Sequence, residues 1–395
     1  MMGMHRTGRA PRAKTSAGFT ITELMVAIVI ALILMAGVIQ IFVSSKRGHL
    51  VEEGLGRLQE NARYAMSTIG EDIRMAGYTG CSGNIQNLLD TTSPAYSDDL
   101  FNFETATGGW EYTGSGTKPG DNYLLPSNLD PAGQPLTDWT NHSGGSLPPS
   151  IQDKVAPGSD LLVLKWAAEK TGVTPNGNTP AHASSISLTG SNGLPQGTIV
   201  VISDCQGADV FQNRNTKTSH SLSRGSGSNT NPGPSNVQSC GAGGSGAAGC
   251  KNFSHAYTTT ARMLYATSRA YYISKGINGE PALYRIRYDD GVSGAGSATA
   301  IEEIADGVET LQVLFGEDTD GDKIANQYVT ADQVTDYANV VSVKLGMLIR
   351  SPNEVKATAA SRVFDVLGTK ITTPKDRYLR LVFTSTIKIR NKGIM

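Results

Sequence analysis

From Leu24 to Val43 the chain runs for 20 residues without a charge, and Gln40 is the only strongly polar side chain among them. At 1.5 Å per residue, a helix of that length is about 30 Å long, the thickness of a bilayer core. A secretory signal has an apolar core of only about 7–15 residues and then a small-residue cleavage site. Here the run is longer, and no such site follows Val43. Before the run, Met1–Gly18 carries Arg6, Arg9, Arg12 and Lys14 and no acid. Basic residues ahead of a span put the amino terminus in the cytoplasm and everything after Val43 outside.

One residue does not suit a plain anchor. Glu23 stands at the head of the apolar run, where a charge at full depth costs about 2.5–3.5 kcal/mol. Ser16-Ala17-Gly18 precedes Phe19, and Glu23 is the fifth residue counting from Phe19. This arrangement resembles the type IV prepilin signature. The resemblance implies a leader over residues 1–18, cleavage between Gly18 and Phe19 on the cytoplasmic side, and methylation of the new amine on Phe19. It also implies that Glu23 meets the terminal amine of a neighbouring subunit and fixes axial register. Both charges are costly in an apolar filament core unless paired, which is the physical reason for that pairing. Without its four leader cations the chain has 30 basic against 35 acidic residues, a net charge of −5 instead of −1.

Beyond the span, Leu55, Leu58, Ala62, Ala65, Ile69 and Ile73 recur at helical spacing. Glu53, Arg57, Glu60, Glu71 and Asp72 are expected largely off that stripe. The pattern predicts one helix over 19–77, with an apolar part (19–43) and an amphipathic part (44–77), ending at Ala76 with Gly77 as the residue beyond the cap. Unbroken, Phe19–Ala76 would span about 87 Å. Gly37, Gly48, Gly54 and Gly56 predict local bending or melting, since each costs ~1 kcal/mol in a helix interior.

Residues 78–395 read as a β-rich head. Strands are expected at 160–166, 198–203, 263–274, 282–288, 308–315, 340–349 and 378–390, with an Asn278-Gly279 turn between two of them. Thr79–Lys154 and Thr171–Gly197, rich in Ser, Gly, Pro and Asn, read as loops around one sheet. Glycine is 45 of 395 residues, above the usual ~7%. The low-complexity stretch 221–249 contains Gly241-x-Gly243-x-x-Gly246, but no strand leads in and no helix leads out, so it is a loop and not a nucleotide site. The class is α+β, a long amino-terminal helix packed on a mainly antiparallel sheet.

All four cysteines, Cys81, Cys205, Cys240 and Cys250, follow the span and so lie in an oxidising compartment. Three pairings are open, and we prefer Cys81–Cys205 with Cys240–Cys250. A zinc site is the alternative, but C-x-x-C spacing is missing. Asp318, Asp320 and Asp322, the Ile324 carbonyl and Asn326 occupy positions 1, 3, 5, 7 and 9 of a calcium-type loop. Lys323 replaces the glycine at position 6, and Val329 the glutamate at 12. If calcium binds, it pins a turn; no cofactor is required. The histidines fall into no catalytic motif, and an enzyme is not expected. The charge balance, 34 basic against 35 acidic residues, gives no global surplus for nucleic acid.

Several segments resemble the PilW group of minor pilins. They are Leu58–Tyr64, Arg74–Cys81, Asp204–Phe211, Gly307–Val313 with the Asp-rich run after it, and the closing Arg390-Asn391. The resemblance implies a structural part in priming type IV pilus assembly at the inner membrane, then a place at the pilus tip. The implied partners are other minor pilins, the major pilin, the prepilin peptidase, the inner-membrane assembly platform and a large tip adhesin. Alternatives are a minor pseudopilin of a type II secretion system, or a pilus-borne module for adhesion or DNA binding.

Overall fold

A computed structural model describes residues 18–392 except 82, 95, 115–117, 127–128, 149–150, 152, 170–171, 227–233, 245, 247 and 289–299. The leader residues before Gly18 and part of the 221–249 stretch therefore lie outside the described residues. The chain divides into two units, Met1–Glu52 and Glu53–Met395.

In the first unit the described chain is helical from Ile21 onward, and every residue from Gly18 to Leu50 is exposed. The helix is uninterrupted to Met75, so the chain does not melt at its glycines. The cost of each glycine is set against a cooperative run of 55 residues. One glycine also has a packing reason. A Cβ at Gly54 would meet Val355 Cγ1 at 3.3 Å and Ser351 Cβ at 3.5 Å.

In the second unit Leu58, Ala62, Ala65, Ile69 and Ile73 are at most 1% exposed, the stripe its spacing requires. Gly77 takes φ +77°, as a residue beyond a helix cap does. Its N–H turns away from the helix to the carbonyl of Lys165, 2.8 Å away.

The strands expected from sequence form, mostly with longer ends. Arg262–Lys275 is the centre of a nine-stranded sheet. It pairs antiparallel with Leu161–Glu169 on one edge. On the other edge it pairs first with Ile199–Ser203 and then with Pro281–Arg287. A second sheet has the order Gln327–Val329, Val308–Glu317, Val340–Glu354, Tyr378–Lys388. The chain crosses from one sheet to the other through Gly307 alone. It has φ +78°, and a Cβ there would lie 2.6 Å from the Arg350 carbonyl oxygen, so only glycine fits.

Two expectations are corrected. The described residues form two large sheets and two small ones, not one sheet. Thr79–Lys154 is not merely loop, because Thr107–Tyr112 extends the nine-stranded sheet and Asn122–Leu124 joins a three-stranded one. Trp110 and Trp139 anchor this region in the core, each 1% exposed. Their indole N–H groups donate to the carbonyls of Ser146 and Ser159 at 3.1 and 2.9 Å. Likewise Ser185–Ser187 pairs with Ser221–Ser223, so 171–197 and 221–249 each contribute a short strand.

Candidate processing and docking sites

Thr20 and Glu23 make a reciprocal cap at the head of the helix. The Glu23 N–H donates to Thr20 Oγ1 at 3.3 Å, and Glu23 Oε2 accepts from the Thr20 N–H at 3.0 Å and from its hydroxyl at 2.9 Å. This is a capping box, two otherwise orphaned donors being satisfied by one Thr-x-x-Glu pair. The Thr-x-x-Glu spacing is present in the sequence. Glu23 thus has a local partner one residue from Phe19.

The other end of the helix is held by groups far away in sequence. Asp72 is 7% exposed, which corrects its placement off the buried stripe. Its carboxylate accepts from Arg269 Nη1 at 2.9 and 3.0 Å and from the Tyr271 hydroxyl at 2.5 Å. Arg285 stands 3.8 Å from it and is paired with Glu302 at 2.5 Å. The Arg269 guanidinium lies 4.7 Å above the Trp166 ring. Burial explains why a carboxylate is used there only with two guanidinium groups and a hydroxyl around it. The last turn is closed by Asn391, whose side-chain N–H group reaches the carbonyls of Met75 and Ala76 at 3.2 and 3.1 Å. Those carbonyls have no partner within the helix.

Cys81–Cys205 and Cys240–Cys250 are bonded, spanning 124 and 10 residues, and no described cysteine is free. The first bond ties the segment after the helix to the Ile199–Ser203/Ala208–Gln212 hairpin. Beside it the structure brings together a serine, a histidine and an aspartate that sequence could not place. His255 Nε2 is 3.0 Å from both oxygens of Asp204, and its Nδ1 is 3.0 Å from Ser254 Oγ. The serine hydroxyl, however, makes its shorter bond, 2.8 Å, to the buried Asp209. Asp209 also accepts from the Tyr257 hydroxyl at 2.6 Å. The hydroxyl proton is committed to a carboxylate, an arrangement that pins a loop rather than activates a nucleophile.

Asp318, Asp320 and Asp322 each place a carboxylate oxygen within 4.8 Å of the others. The turn is braced by its own backbone. Asp318 accepts from the N–H groups of Gly321 and Lys323 at 2.7 and 2.8 Å. Lys323 has φ +67°, the left-handed conformation that a glycine supplies in calcium loops. Asn326 turns its side-chain N–H group to Asp320 at 3.1 Å, and its oxygen accepts from the Thr319 N–H at 2.7 Å.

The Thr20–Glu23 cap heads a helix whose first part is long and apolar enough to cross a membrane, and residues 58–73 of the same helix are packed in the β-rich head. Residues 13–39 match the prokaryotic N-terminal methylation motif. Residues 270–391 match the family described as type IV pilus-assembly protein W. The chain therefore carries a PilW-type carboxy-terminal region behind a prepilin-type amino terminus, as an inner-membrane-anchored protein that later becomes pilus-associated. The PilW match ends on Asn391, the residue that closes the helix. Among solved structures the chain is similar to a type IV-like pilin from Thermus thermophilus, with 19% identity, 33% of this chain and 67% of that chain covered, and a TM-score of 0.22. No curated protein matches the sequence.

Proposed function

We propose that the protein is a minor pilin that helps initiate type IV pilus assembly and then sits in the tip complex. Its role is structural and not catalytic. The observation that carries this is the apolar helix headed by Glu23 and continuous with the amphipathic stripe that docks the head. Apolar helices of neighbouring subunits pack side by side, and the Glu23 carboxylate, released from Thr20, takes the amine of the next subunit. The partners in this reading are other minor pilins, the major pilin, the prepilin peptidase, the assembly platform and a tip adhesin. A bulky head suits a tip better than a repeating thin shaft.

The test is a count of surface pili in an in-frame deletion strain, with and without the retraction motor. Loss rescued by disabling retraction is expected of a priming minor pilin. Normal pili with a secretion defect would make it a pseudopilin; normal pili with lost adhesion or DNA uptake would make the head a binding module. In the complemented strain, Glu23→Ala should be cleaved normally yet incorporate poorly, and normal incorporation would sink the register role.

The reading includes one metal, structural Ca2+ on Asp318, Asp320 and Asp322 with the Ile324 carbonyl. Adding calcium to chelated protein should raise Tm, and Asp320→Ala should abolish that gain. An unchanged Tm removes the metal from the proposal.

A further inference from the structure

The near-neutral total conceals a separation of charge along the chain. Residues 340–395 hold eleven lysines and arginines against three acids, a net of +8, whereas residues 19–339 hold nineteen against 32, a net of −13. The fold concentrates part of that excess. Residues 354–362 run antiparallel to 373–377, with the Lys356 N–H on the Arg377 carbonyl at 2.9 Å, Ala360 N–H on Asp376 at 2.9 Å and Thr373 N–H on Arg362 at 2.8 Å. This brings Lys356, Arg362, Lys375 and Arg377 to one edge of the head, three of them exposed and Lys356 half-buried.

Of the nearby acids, most are engaged by other cations, and Glu354 lies on the edge itself. Arg380 holds Asp376 and Glu309, and Arg350 holds Glu280. The Glu354 carboxylate accepts from the Arg377 backbone N–H at 3.3 Å. Among the described residues no carboxylate is paired with any of the four cations. Burial together with the positive charges of Arg362 and Arg380 pushes the Lys356 ammonium below its ordinary range, an effect that Asp376 offsets only in part.

Position in the chain indicates what covers this edge. Val355 and Ser351 are the residues that close on Gly54, and Gly54 is eleven residues from Val43, the end of the apolar run. Even fully extended, that tether reaches only about 40 Å. Four cations bind a free polyanion weakly at physiological salt, but a tether of this length keeps a charged surface permanently at high local concentration. We infer that the Lys356–Arg362–Lys375–Arg377 edge docks on the anionic phospholipid headgroups of the bilayer that holds the span, with the acidic remainder of the head turned from it by repulsion. The docking parks the head against the membrane before assembly and is given up when the subunit is extracted.

The test uses the full chain in nanodiscs of zwitterionic lipid and in nanodiscs with about 30% anionic phospholipid. Amine acetylation of Lys356 and Lys375 is followed by mass spectrometry, with the exposed Lys217 as reference. Co-elution with the disc checks the span independently of the head. Docking predicts roughly threefold or greater slowing at both lysines in anionic discs alone, reversed by about 0.5 M salt. It also predicts loss of the slowing in Arg362→Gln/Arg377→Gln, whose surface positions leave thermal unfolding unchanged. Equal rates in the two discs overturn the inference, as does slowing that survives the double substitution. Slowing produced by a DNA duplex in zwitterionic discs, with none from anionic lipid, also overturns it and makes nucleic acid the partner.

Discussion

Asn391 decides how the helix ends. Its side chain serves the Ala76 carbonyl and shares the Met75 carbonyl with the Tyr78 N–H, so Asn391→Ala should destabilise the head by about 1 kcal/mol. Urea unfolding with an unchanged midpoint would show that water replaces it at no cost. The residue was visible in sequence as part of a closing Arg-Asn pair, but its role was not, because the helix it caps lies 315 residues away. Glu23 is the opposite case. Its position at the head of an apolar run is conspicuous in the sequence, and its local bonds to Thr20 follow from the Thr-x-x-Glu spacing. The disulfide pairing preferred from sequence is the one formed, since a ten-residue glycine loop and a helix-to-sheet tie were the simplest closures available.

For the helix and sheets, periodicity carried most of the information. The spacing of Leu58 to Ile73 located the docked face, and alternation located the central strands. Composition is a poor guide in Thr79–Lys154, where a chain rich in glycine and serine still forms strands. Two of the chain's three tryptophans lie in that stretch, and large aromatics require burial; that signal was available. Asp72 was misplaced for a similar reason, an acid being read as surface although the partners that permit its burial are some 200 residues on. Asp72→Ala leaves Arg269 without its carboxylate and removes a bond from Tyr271. Breaking such a buried pair should cost about 3 kcal/mol, and local hydrogen exchange over residues 58–76 should rise with it. Protection at the wild-type level would mean that the apolar stripe alone holds the helix.

Stability of the whole molecule should depend on pH through one buried acid pair between the sheets. Asp160 accepts from the Tyr112 N–H at 3.2 Å on one sheet and from the Val313 N–H at 2.8 Å on the other. Glu111 beside it is 1% exposed, and its carboxyl is hydrogen-bonded to that of Asp160. Burial pushes Asp160 up to about 7, and burial with the Asp160 charge pushes Glu111 well above the usual carboxylate range. The charges of the Lys118–Asp332 pair also act on Glu111, in opposite directions. Two carboxyls in such a place share a proton. Because the folded state binds that proton more tightly than the unfolded one, its stabilising effect is complete below about pH 4 and fades as pH rises through about 7. Glu111→Gln should therefore flatten the pH dependence of the unfolding free energy in that window. A wild-type slope in the variant would remove the pair from the explanation.

The contact between Asn391 and the helix end also has a consequence in time. Ala76 and Asn391 are made 315 residues apart, roughly 15–60 s at ordinary rates of synthesis. Throughout that interval the apolar segment is available to the membrane while its far end stays open. A nascent or truncated chain that stops before Asn391 is thus anchored but unsealed, and any assembly partner that grips the sealed end of the helix would pass over it.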